Sequence, residues 1–187
     1  MKRLVIDTET TGLSPRFNKT LTVGMLLVDV EQDFLEILDE NHIFIKHKNY
    51  NLTKKAMEVN KIDITQHNLY AVPPTTACVK INSFIDKNSL HKTPLVGHNL
   101  HFDKGFLKVL FNQGDAFAKL HHQSEDTMYI WRNHQRAGNV PSSLRSSLRE
   151  IANFFKIDYA KAHNALEDCH ITAKVYQRLL GLNNAKL

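Results

Sequence analysis

Leu4-Val5-Ile6-Asp7-Thr8-Glu9-Thr10-Thr11-Gly12-Leu13 is the stretch that decides how this chain reads. An apolar run, suited to a strand covered on both faces, ends in two acids one residue apart. Alternate side chains of an extended backbone share a face. Asp7 and Glu9 therefore point the same way at the mouth of a buried strand. Two carboxylates held together repel unless a cation lies between them. A solvated strand end followed by a Thr-Thr-Gly turn accommodates the same residues. On this stretch alone both readings stand.

The chain has 187 residues, enough for one domain with a full core. No repeat, low-complexity tract or dividing linker interrupts it, so residues 1–187 are expected to form a single domain. Hydrophobic residues make up 42% and charged residues 23%, proportions that exclude a disordered or fibrous chain. No apolar run approaches bilayer-spanning length, and Met1-Lys2-Arg3 leads straight into a strand without a signal-peptide pattern. Cys78 and Cys169 form no motif. They read as free thiols in a reducing, cytoplasmic compartment, with one disulfide as the alternative. The formal charge of +5 leans toward a polyanionic partner. The eleven histidines show no zinc-site spacing with a cysteine, and nearly all are expected at the surface.

Working outward, the pattern predicts strands over residues 2–7, 21–30 and 34–46, with a loop across 8–19. The short link Glu31-Gln32-Asp33 implies a hairpin. Helical spacing follows. A helix capped by Asn51 or Thr53 runs through Val59, and another starts at Asp63. After the Pro73-Pro74 break, Thr75 or Thr76 opens a helix carrying Cys78, Ile81 and Phe84. Short strands are expected at 93–97 and just before Asp126, and helices at 101–112, 127–136, 142–155 and 164–180. Strands first, then strands alternating with helices, give an α/β fold with one mixed sheet flanked by helices.

Two of the predicted helices carry an acid among apolar neighbours. In the helix at 101–112, Phe102, Phe106, Leu107, Leu110 and Phe111 sweep one arc, and Asp103 projects near its middle. Burying that charge alone is costly, so it must be paired or bound to a cation. A helix-entry acid serving the cap or dipole is an equal alternative. In the last helix, Asn164 suits the N-cap and Glu167 stands at the capping-box distance. Asp168 falls on the side of Val175 and Leu179 with no structural task. His163 precedes the cap, near the same end of the helix. Asp7, Glu9, Asp103 and Asp168 are thus four acids that the core does not explain. Oxygen-only ligands suit Mg²⁺ or Mn²⁺ rather than Zn²⁺, and carboxylate clusters of this kind hold metal pairs for phosphoryl transfer.

Here the sequence resembles the DnaQ-like exonucleases, in the histidine-type branch called DEDDh. Three motifs carry the resemblance: Asp7-Thr8-Glu9-Thr10-Thr11-Gly12-Leu13, Val96-Gly97-His98-Asn99-Leu100-His101-Phe102-Asp103, and His163-Asn164-Ala165-Leu166-Glu167-Asp168. Glu125-Asp126-Thr127 before a helix is a further landmark. The motifs keep order and spacing from the first strand to the last helix. The tyrosine branch has its tyrosine four residues before the last acid, where this chain has Asn164, so His163 sets the branch.

The resemblance implies a ribonuclease H-like fold: a five-stranded mixed sheet, three antiparallel N-terminal strands followed by parallel ones. It implies that Asp7, Glu9, Asp103 and Asp168 bind two Mg²⁺ or Mn²⁺ ions and that His163 is the general base. The reaction implied is release of nucleoside 5′-monophosphates from single-stranded 3′ ends. The resemblance also makes Leu13 a wedge against the terminal bases, sets Thr10 near the 3′ terminus, and makes Asn99 and Phe102 pocket neighbours. From the residues alone, Leu13 and Phe102 read equally well as core. Some relatives have histidine where Asn60 stands, a departure that touches a nucleotide contact and not the metal site. Thr10 leans the substrate toward DNA, because oligoribonucleases usually have an apolar residue there. An exoribonuclease is the alternative. A silent binding module or polymerase-associated subunit is a third reading, opposed by the intact set of acids and histidine. A polymerase or repair partner fits the family. Two basic groups, Lys46, Lys48, Lys54, Lys55 and Lys61, and Arg132, Arg136, Arg145 and Arg149, are candidates for tracking phosphates.

Overall fold

The computed structural model describes residues 1–160 and 162–182. The apolar N-terminal run forms β1 (Lys2–Thr10), the middle of a five-stranded sheet. It pairs antiparallel with β2 (Thr20–Glu31), and β2 pairs antiparallel with β3 (Phe34–Phe44). On its other side β1 pairs parallel with β4 (Leu95–Gly97), which pairs parallel with β5 (Ser124–Asp126). The order is β3-β2-β1-β4-β5. This is the mixed α/β sheet that the strand pattern implied.

Helices cover both faces. They are α1 (Lys54–Asn60), α2 (Ile64–Tyr70), α3 (Pro74–Lys87), α4 (Leu100–Gln113), α5 (Thr127–Arg136), α6 (Leu148–Phe154) and α7 (Ala165–Leu182). Alternation along β1 splits the core in two. Leu4 and Ile6 join Ile81 and Ile85 of α3 and Leu107 and Leu110 of α4. Val5 faces the other way, onto Cys169, Ala173 and Tyr176 of α7. A third cluster gathers α5, α6 and α7 around the fully buried Trp131, whose ring stands edge-on to Phe154 and Phe155.

Several local expectations change. β1 does not stop at Asp7 but runs on to Thr10, with a bulge after Glu9, because Thr8 and Glu9 keep pairing with Val23 and Thr22. The third strand ends at Phe44 rather than 46, and Ile45 makes only an isolated bridge to Val72. Residues 142–147 are not helical. Gln135 donates to the carbonyls of Pro141 and Leu144, Arg132 donates to the Ser146 hydroxyl, and α6 begins only after Ser147 caps it. Pro74 opens α3 instead of merely ending α2, since a first-turn proline lacks only an N–H that would go unpaired there. Thr53 precedes α1 without capping it, because its hydroxyl donates to the Thr11 carbonyl. His67 and His134 are buried rather than exposed, bonded to the Ile45 carbonyl and to Asn139. Cys78 and Cys169 are free and lie in different clusters, so no disulfide joins them. Among the described residues no helix is long and apolar enough to cross a membrane.

Candidate active site

The odd-numbered residues of β1 share the face on which α7 lies. The helix runs antiparallel to the strand: Tyr176 meets the Arg3 end through Glu125, and Asp168 meets Asp7 and Glu9. What allows the helix this close is Gly24, which pairs with Asp7 from the neighbouring strand. A Cβ on Gly24 would lie 2.3 Å from the Ala165 carbonyl oxygen. The first turn of α7 therefore rests directly on the backbone of β2.

Asp7, Glu9 and Asp168 each offer a carboxylate oxygen, and these oxygens lie within 4.8 Å of one another. Asp103 approaches from α4 and is 2% exposed. The Thr8 hydroxyl donates to its Oδ1 at 2.7 Å, so it stands beside the trio rather than within it. Asp103 lies in the first turn of α4, as the helix-entry reading had it, and its carboxylate is also turned to β1. Asp168 Oδ2 accepts from the His163 backbone N–H at 3.1 Å. Its Oδ1 is buried without a partner. Among the described residues none of the four carboxylates belongs to an ion pair.

The electrostatics follow. Burial, then Asp103, Asp168 and Glu9, push the Asp7 carboxyl well above the usual range. Burial, then Asp168 and Asp103, raise Glu9 to about 8. Burial raises Asp103 against the pull of the Thr8 hydroxyl, and raises Asp168 against that of the His163 N–H. Four carboxylates driven the same way lack a positive charge. Their donor set is oxygen only. The neighbouring Cys169 thiol is pushed far up by burial and then by Asp7, Asp103 and Asp168, so no thiolate competes. The residues fit a hard divalent cation, and the orphaned Asp168 Oδ1 is the atom most in need of one.

His163 sits in the left-handed region, φ 73°, half-buried before α7. Its ring meets the Tyr159 ring edge-on at 6.1 Å, and the Arg149 guanidinium lies over the other ring at 5.4 Å. Burial, then Arg149 and Lys61, lower its pKa. Its imidazole is therefore neutral at neutral pH and able to accept a proton.

Beside the acids opens a cleft of about 480 Å³ whose walls include Glu9, Thr10, Leu13, Asn60 and Phe102. Leu13 is 77% exposed, so it is a rim residue and not core. Phe102 is half-buried against Phe106. Thr10 and Asn60 line the cleft with their polar atoms already bonded. Thr10 donates to the Gly12 carbonyl, and Asn60 donates to the Thr10 carbonyl and accepts from the Ile62 N–H. Asn99 is not on the cleft wall. It is exposed at the head of α4 with φ 60°, and its N–H donates to Asp126.

Comparison with known proteins bears on this arrangement. The sequence model of the RNase_T family, described as Exonuclease, matches residues 4–176. The chain belongs to this family of DnaQ-like exonucleases. Ribonuclease T of Shewanella denitrificans is 26% identical over 182 residues, covering 92% of this chain and 77% of the relative. DNA polymerase III PolC-type of Streptococcus pyogenes serotype M1 is 25% identical over 175 residues, which cover 92% of this chain and 11% of the polymerase. E. coli exonuclease I in complex with a dT13 oligonucleotide superposes with a TM-score of 0.80 at 17% identity, over 94% of this chain and 40% of that one. This chain thus spans well under half of exonuclease I, and that likeness speaks for the ribonuclease H-like fold.

Sequence reasoning missed three parts of the candidate site. Gly24 gave no signal, because only the packing of α7 on β2 reveals it. Thr8 read as a loop residue, although the extra strand pairing turns its hydroxyl to Asp103. Tyr159 stands beside His163 from the loop after α6, and Arg149 of α6 covers the Tyr159 ring, a contact between segments that their own sequences do not announce.

Proposed function

We propose that residues 1–187 form a single exonuclease domain that removes nucleotides from single-stranded 3′ ends, with DNA favoured over RNA. The single observation that supports it is the gathering of Asp7, Glu9 and Asp168 within 4.8 Å, with no cationic partner among the described residues. Asp7, Glu9, Asp103 and Asp168 would hold two divalent ions, Mg²⁺ or Mn²⁺. When bound, such ions acidify a water and offset charge on the departing 3′ oxygen.

The remaining steps belong to the chain. His163 takes the proton of the attacking water as general base, a role helped by its lowered pKa. Its backbone N–H fixes one oxygen of Asp168, and Thr8 fixes one of Asp103, so the acids are oriented before substrate arrives. Exposed Leu13 meets the terminal bases, and Phe102 closes the cleft with an apolar wall. Thr10 and Asn60 hold the shape of that cleft. Asn99, off the cleft wall at the head of α4, leaves its side chain uncommitted to the cap and free to meet a longer substrate.

An exoribonuclease is the second reading, supported by the ribonuclease T relatives. The dT13 complex of exonuclease I supports the first. The test is digestion of 5′-labelled single-stranded and duplex oligomers of DNA and RNA, with Mg²⁺ and with EDTA. Ladders that shorten from the 3′ end, faster on single-stranded DNA and only with metal, are expected. Cleavage in EDTA, internal cuts or RNA-only hydrolysis would overturn this assignment.

A further inference from the structure

We propose that a basic groove beside the cleft carries the phosphate backbone of the strand upstream of its 3′ end. The inference rests on the exonuclease reading and says where the rest of the substrate runs. The groove has a volume of about 620 Å³ and is lined by Lys19, Lys46, His47, Lys48, the Pro73-Pro74 pair and Gln113, with no acid on its walls.

Lysine side chains on a surface are ordinarily matched by acids or solvated one at a time. Here three converge. Among the described residues, none of the Lys19, Lys46 and Lys48 ammonium groups forms an ion pair or hydrogen bond. Several basic residues elsewhere are engaged. Lys54 pairs with Glu58, Arg132 and Arg136 donate to Ser146 and Asn133, and Arg149 covers Tyr159. Three like charges around one concavity repel, and a polyanion relieves them.

The groove is also rigid and joined to the cleft. The Lys46 N–H donates to the Val72 carbonyl, which holds one wall against the prolines. His47 bonds the Thr20 carbonyl, and its N–H donates to the Tyr50 hydroxyl, which in turn donates to Asn68. The same two segments then wall the cleft: Asn18 precedes Lys19, and Thr53 follows the Lys48 turn. The Asn18 amide donates to the Asn51 carbonyl and locks the two together. A strand whose terminus lies at Leu13 can continue along this shared wall, from Lys55 in the cleft to the three lysines of the groove. A single-stranded backbone suits it, because its spacing adapts to fixed cations and its bases need no readout here.

The test compares wild type with the triple variant Lys19→Gln/Lys46→Gln/Lys48→Gln at low salt. Substrates are a trinucleotide and an oligonucleotide of about 20 nucleotides, each 5′-labelled, and binding is also read by fluorescence anisotropy in EDTA. On the long substrate KM should rise about tenfold, and the salt dependence of log(kcat/KM) should flatten by about 2, near 0.7 for each lost phosphate contact. Trinucleotide hydrolysis and kcat should not change, and anisotropy should weaken in parallel. Lys87→Gln, which removes a lysine paired with Asp39, is the control and should behave as wild type. An unaltered KM and salt slope would overturn the groove, as would equal losses on the trinucleotide. If wild type hydrolyses neither substrate, the exonuclease reading fails instead, while anisotropy still reports whether these lysines bind the strand.

Discussion

The two ends of the β1–α7 contact treat acids in opposite ways. At the Arg3 end, the Glu125 carboxylate accepts from the Arg3 guanidinium at 2.5 Å and from the Tyr176 phenol at 2.6 Å. At the other end of the same strand and helix, Asp7, Glu9 and Asp168 crowd together, and among the described residues no cation joins them and one buried oxygen of Asp168 has no partner. One end is a finished interaction. The other is complete only with something brought from outside. The difference teaches that an acid's task is read from the partner the fold supplies or withholds, not from its burial.

That contrast can be broken or sharpened experimentally. Asp7→Ala should have the largest effect, lowering hydrolysis at least about a thousandfold. It should also raise the thermal midpoint in EDTA, because folding no longer has to bury that ionisable carboxyl among three others. A less stable metal-free variant, or retained hydrolysis, would break the contrast. His163→Ala should slow hydrolysis by about 10²–10⁴-fold, while the rise in Tm produced by Mn²⁺ persists. A variant that turned over like wild type would remove the base from the unfinished end. Gly24→Ala forces a methyl group against the Ala165 carbonyl. We expect a loss of about 1–3 kcal/mol and about a hundredfold in rate, since Asp168 moves with the helix.

A smaller effect is expected from pH. The Glu9 carboxyl rises from 4.5 to about 8 on folding, so the folded state holds that proton more tightly. Its contribution is complete below about pH 4.5 and is lost as pH rises toward about 8. The thermal midpoint in EDTA should fall across this window, and saturating Mn²⁺ should flatten the fall. Tyr176→Phe, at the finished end, should have the smallest effect. It should cost about 1 kcal/mol of stability and leave kcat unaltered.

Much of this was legible in the sequence, for physical reasons. Period-2 alternation along β1 placed Asp7 and Glu9 on one face, and helical periodicity exposed Asp103 and Asp168 as misfits among apolar neighbours. Local chemistry was less legible where it depended on distant residues. Whether Thr8 continues a strand is decided by Val23. Whether residues 142–147 coil into a helix is decided by Gln135 and Arg132, which satisfy that segment in another way. Nothing in the sequence around Asn60 announces the Thr10 carbonyl that it bonds while lining the cleft. The burial of His67 and His134 was hidden for the same reason. Gly24 was silent, since the absence of a side chain matters only once a helix is laid over it.

The trio's members come from the first strand and the last helix described, Asp7 and Asp168 lying at opposite extremes of the sequence. During synthesis the first acids leave the ribosome long before their companion exists. Contacts of such long sequence separation form late and slowly. On the assignment proposed above, a half-made chain lacks the cutting site, which is assembled only when α7 docks onto the bare backbone at Gly24.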